Sequence, residues 1–200
     1  MPLSTLLNRL VAWELLTAAS AYGLMTMLTG LSPKKNPQVG FFALGFCFMM
    51  LAMLAKFLAL LMPPPLGWKI DIPSSALIFM SAAAFSSGFV KPSSRPIAEI
   101  GVVAAGTVLL AVGGDNPLGS KVIETCYGFL FLLMALLTTK VYHRTRHQTL
   151  KILAIALLLV GVSGLISACT LIVSWALVRV LVPTLHVLGA LSFVWALAEA

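Results

Sequence analysis

Between residues 6 and 198 the chain alternates long apolar runs with short polar punctuation. The runs are continuous, as in ILAIALLLVGVSGLISACTLIV at 152–173. They lack the alternation of about ten residues that marks barrel strands, so they predict helices. Proline, glycine and charge clusters set the breaks: SPKKNPQ, PPPLGWKIDIP, KPSSRP, GGDNP and HRTRHQTLK. This places spans at 6–31, 39–62, 74–90, 96–112, 117–142, 150–174 and 179–198. Asn116 is suited to cap the fifth span and Pro117 to open it. The stretch from Leu150 to Ala200 is too long for one crossing of about 20 residues. It divides near Trp175 and Arg179, which read as interfacial residues. A six-span form, with the last segment re-entrant or interfacial, is the alternative.

Composition turns these helices into membrane helices. Sixty per cent of residues are hydrophobic and 10% are charged, against about 25% charged in a soluble domain. Mean hydropathy is +1.04. A bilayer is the solvent that accommodates so much apolar surface, and it admits closed barrels or helices. The expected fold class is therefore all-α: a polytopic transmembrane helical bundle of about seven spans, in one integral membrane domain. The first apolar stretch has no small-residue cleavage site and reads as a retained helix.

The net charge of +7 changes the picture through its placement. Eight basic residues flank the odd loops: Lys34, Lys35, Lys91, Arg95, Lys140, Arg144, Arg146 and Lys151. Four lie on the other side, Arg9, Lys69, Lys121 and Arg179. The bias predicts cytoplasmic odd loops, an outside N-terminus and, with seven spans, a cytoplasmic C-terminus. Arg9 pulls the other way. Basic residues here are topology signals and phospholipid anchors, so the expected partners are the lipid bilayer, other membrane subunits or further copies of the chain, and no nucleic acid.

Four ionisable residues on four spans share the outer half of this plan: Glu14, Lys56, Glu124 and His186. A charge at mid-bilayer costs about 2.5–3.5 kcal/mol on insertion scales, so pairing is expected. Glu14 and Lys56, on adjacent helices at similar depth, are the candidate ion pair. Trp13 and Tyr127 are expected to line the neighbourhood, and Tyr22 to lie too deep. The functional reading is a pocket for a small ligand, a quinone head group or a proton. The plainer reading is a set of structural polar contacts with some snorkelling, since Lys56 and Glu124 lie near helix ends. Glu99 is expected to face the surface or pair with Arg95.

Other chemistry has little support. His143 and His147 have metal-ligand spacing, but no acid or thiol lies nearby and Arg144 and Arg146 would repel a cation. No cofactor is indicated. His186 could ligate a haem or chlorophyll with a second axial partner, although a lone membrane histidine is more often a helix contact. The histidines at 143 and 147 lie too far from it in depth to share one iron. Cys47, Cys126 and Cys169 form no CxxC pair and read as small hydrophobes. The last span carries no lysine for a retinal Schiff base. Both aspartates, Asp71 and Asp115, fall in expected outer loops, which removes intramembrane aspartyl chemistry. There is no P-loop, GxGxxG or HExxH. Gly161 with Gly164, Ser163 with Ser167, Ala19 with Gly23 and Gly101 with Ala105 read as small faces for close helix approach. The expected function is a non-enzymatic membrane protein, either a sensory or regulatory bundle or an accessory subunit of a larger complex. The alternative is a small transporter, or a proton- or quinone-handling subunit, using the four polar residues. A lipid-modifying enzyme ranks last.

Overall fold

The computed structural model describes residues 3–30, 37–89, 117–169 and 176–199. It is all-helical there. The helices are α1 (Leu3–Gly30), α2 (Pro37–Leu61), α3 (Pro64–Phe89), α4 (Pro117–Thr145), α5 (Gln148–Cys169) and α6 (Ala176–Ala198). All six are long and apolar enough to cross a membrane. The expected span at 96–112, with Glu99, Arg95, Gly101, Ala105 and Asp115, lies outside the described residues. The stretch from Leu150 onward does divide into two helices, α5 and α6.

Three helices open on proline, which suits a first turn whose amide has no helical acceptor. This rule corrects the third span. PPPLGWKIDIP reads as a break, yet α3 begins at Pro64 and continues through Pro73. The turn before it closes with the Leu66 and Gly67 amides donating to the Pro63 carbonyl, each at 2.9 Å. Pro73 removes one amide from the ladder, which neighbouring helices can compensate inside a bundle. Asp71 is therefore a helical residue inside a candidate span, not a loop residue.

The helices pack as a closed ring in chain order, with α6 returning to α1. Neighbours α1–α2, α2–α3, α4–α5 and α5–α6 are antiparallel. Across the α3–α4 seam, Ser75 meets Glu124 and, deeper, Phe85 meets Phe131, so these two helices run in the same direction. The α6–α1 seam is also parallel: Thr184 meets Glu14 and, deeper, Phe193 meets Tyr22. The end where α1 begins is called proximal here, and the end where it finishes distal.

Glycine sets the closest packing. A Cβ on Gly164 would lie 2.5 Å from the Tyr127 ring and 3.0 Å from the Glu124 carbonyl oxygen. One on Gly161 would meet Leu132 at 2.9 Å, and one on Gly128 would meet the Gly161 carbonyl at 3.1 Å. The expected small face of α5 is thus the α4–α5 seam. Gly23 likewise receives Met50. The middle of the ring is aromatic. Phe46 contacts Phe85 and Phe193 at centroid distances of 4.9 and 5.1 Å, and Tyr22 and Phe131 extend the cluster.

At the distal end α4 passes into α5 through Arg146 and His147. Arg146 has φ 59°, the one left-handed non-glycine among the described residues. Its amide donates to the Tyr142 carbonyl at 2.7 Å, which closes the helix.

Candidate functional site

The polar residues of the bundle gather at the proximal end, around Glu124. Its side chain is fully buried. On α4 itself, Lys121 one turn earlier donates to Oε2 at 2.7 Å. From α5, the Ser167 hydroxyl donates to Oε2 at 2.8 Å. From α2, the Lys56 ammonium reaches Oε1 at 3.3 Å, and from α3 the Ser75 hydroxyl reaches the same oxygen at 3.4 Å. One carboxylate therefore joins four helices.

The network continues outward. Lys56 also donates to Asp71 Oδ1 at 3.2 Å, and Ser74 donates to Asp71 at its carbonyl and carboxylate. Lys121 reaches the Ser167 oxygen at 3.4 Å. Two ammonium groups face two carboxylates, so the formal charges cancel within the cluster. Exposure rises from Glu124 at 0% through Lys56 at 15% to Asp71 at 34%. The network thus runs from the buried centre toward the proximal surface.

A second polar group lies across the ring. Glu14 on α1 accepts from the Thr184 hydroxyl on α6 at 2.7 Å. Thr184 also approaches the Val180 carbonyl at 2.8 Å, so one hydroxyl proton is shared between two acceptors. His186 is 1% exposed. Its Nε2 lies 3.1 Å from Ser163 Oγ, and that hydroxyl donates to the Val160 carbonyl at 2.7 Å. Ser163 has then used its proton, so Nε2 carries the hydrogen and donates. The Tyr22 hydroxyl donates to the His186 carbonyl at 3.4 Å. Glu14 Oε2, His186 Nδ1 and the Tyr127 hydroxyl are buried with no hydrogen-bond partner among the described residues.

Of the four expected site residues, Lys56 and Glu124 are in contact. The expected Glu14–Lys56 pair does not form. Glu14 turns toward α6, and Lys56 finds two nearer acids because α3 carries Asp71 back into the bundle. Tyr22, expected to lie too deep, bonds to the backbone of His186. Trp13 points outward, 70% exposed, whereas Tyr127 is buried beside the network. Sequence reasoning missed Asp71, Lys121, Ser75, Ser167 and Thr184. Two signals were available: the Lys121–Glu124 spacing of three on one helix, and serines at 163 and 167 on the helix that follows. Among the described residues, no group of three or more His, Cys, Asp or Glu could hold a metal. His143 and His147 are exposed at the distal end.

No protein-family model, curated protein or solved structure matches this chain.

Proposed function

We propose that this chain is a non-enzymatic integral membrane protein, either a sensory or regulatory bundle or an accessory subunit of a larger membrane complex. The observation that carries this reading is the saturation of Glu124. Both its oxygens are engaged by partners from α2, α3, α4 and α5. A carboxylate so occupied fastens helices together and offers no free general base. Fastening four helices through one side chain also makes a natural control point. A change of charge or partner there loosens several seams at once.

The proposal includes seven crossings, with the proximal end outside and the C-terminus cytoplasmic. The parallel run of α3 and α4 supports the count, since Phe89 and Pro117 then lie at opposite ends of the bundle. The basic residues at the distal α4–α5 turn support the orientation. The test is purification in mild detergent with a native mass and an absorption spectrum, on the wild type and on Glu124→Gln. A co-purifying assembly that Glu124→Gln releases while the chain stays folded supports the reading. A haem or chlorophyll band overturns it.

A second reading, a small transporter or a proton- or quinone-handling subunit, rests on the unpartnered atoms. Buried polar groups without partners are uncommon and call for an explanation. Glu14 Oε2, His186 Nδ1 and the Tyr127 hydroxyl are three such atoms, the last of them beside the charged network and the other two across the ring from it. Proteoliposomes loaded with a pH-sensitive dye test it. Proton uptake by the wild type that Glu14→Gln and His186→Gln both abolish would put this reading first.

A further inference from the structure

We propose that the distal turn between α4 and α5 is a binding surface for the phosphate groups of anionic phospholipids, with Arg146 as its central contact. Lys140, His143, Arg144, Arg146, His147 and Lys151 are all exposed around this turn. Glu199 is the one acid at this end among the described residues. Its carboxylate already accepts from the Trp195 indole at 3.3 Å, and its carbonyl accepts from Thr149 at 3.4 Å. Among the described residues, the basic groups at the turn therefore have no acidic partner.

The turn is also at the right depth. Glu199 ties the start of α5 to Trp195, which is 59% exposed. Exposed tryptophan at a helix end marks the head-group level of a bilayer. Ordinary membrane topology would be served by basic residues on a flexible loop. Here the chain turns through two residues, and an arginine occupies the left-handed position. Glycine, or sometimes asparagine, is the usual residue there, because a Cβ crowds the neighbouring carbonyl. Backbone strain of this kind persists where the surrounding structure or function requires it. The side chain gained in exchange is a planar guanidinium, which matches the phosphate oxygens in two-pronged hydrogen bonds. The amides of the first turn of α5 lie beside it and favour the same charge.

The test uses the whole chain in phosphatidylcholine bilayers containing either brominated phosphatidylglycerol or brominated phosphatidylcholine. Trp13, Trp68 and Trp175 are changed to Phe, so that Trp195 reports from beside the turn. Trp195 fluorescence should be quenched preferentially by the anionic lipid. Arg146→Gln and Arg146→Gly should each weaken that preference about fivefold, the effect of one basic side chain near an anionic surface. The thermal midpoint in pure phosphatidylcholine separates charge from strain. It should rise for Arg146→Gly, which relaxes the backbone, and should not rise for Arg146→Gln. The assignment is overturned if the wild type shows no preference or if both variants keep it. It is also overturned if a form retaining only Trp13, at the other end, shows the same preference. Competition by inorganic phosphate that removes the preference would make free phosphate the ligand and overturn the lipid assignment.

Discussion

Lys56 and Glu124 stand 68 positions apart in the chain, and their charged groups stand 3.3 Å apart in the bundle. The contact bridges α2 and α4 at the proximal end. Removing one partner of a buried pair can cost about 3–5 kcal/mol, whereas replacing both is often near neutral. Glu124→Gln should be the most damaging single change, since it leaves Lys56 and Lys121 with Asp71 as their one remaining acid. Lys56→Met should cost less, because Lys121 still neutralises Glu124. A double-mutant cycle on thermal stability in detergent should show coupling between positions 56 and 124. Additive effects would break the pair.

Glu14 belongs to a different set of contacts. Glu14→Gln combined with Lys56→Met should give additive losses, because the two side chains do not touch. Glu14→Gln combined with Thr184→Val should not be additive, with an interaction energy of about 0.5–3 kcal/mol. Coupling of Glu14 to Lys56 instead of Thr184 would contradict the geometry.

Glycines give a contrast that separates packing from helix propensity. Gly164→Ala drives a methyl group into the Tyr127 ring and the α4 backbone and should cost about 1–3 kcal/mol, the usual range for overpacking. Gly40→Ala meets nothing within 4 Å and should be neutral, or stabilising by up to about 1 kcal/mol. Thermal unfolding of both variants in one detergent checks the order.

Orientation can be read with thiols. Cys169 is exposed at the proximal end of α5. In intact cells a membrane-impermeant thiol reagent should label a cysteine placed in GGDN, and label Cys169 if its thiol reaches the water. A cysteine introduced at Gln148, on the distal side, should be protected until the membrane is opened. The reverse pattern would put the proximal network in the cytoplasmic leaflet.

The helices were legible because apolar length is a strong signal and a bilayer forbids most alternatives. Their exact starts were not. Proline reads as a breaker in a sequence, but Pro64 and Pro73 both sit within α3, one in a first turn and one mid-helix. That single misreading hid Asp71, and with it one of the two acids that Lys56 meets. Depth along each span was readable from the order of spans, but of Glu14, Lys56, Glu124 and His186 only Lys56 and Glu124 meet. Rotation about each helix axis was not readable. With polar residues few and apolar residues on every face, no stripe pointed Glu14 toward α6 rather than α2. Close helix approach at Gly161 and Gly164 was legible because glycine announces itself by size, but that α4 is the helix received there was not.

The closed ring bears on how the protein is made. Among the described helices, each extended seam but one joins helices that follow one another in chain order, while single side chains also meet across the ring, as in Lys56–Glu124 and Phe46–Phe193. The exception is the seam of α6 with α1. Until α6 emerges, Glu14 lacks Thr184 and Tyr22 lacks the His186 carbonyl. Closure of the ring therefore waits on α6. A nascent chain halted before it presents an open flank with a bare glutamate, a feature by which membrane quality control could distinguish it from the finished protein.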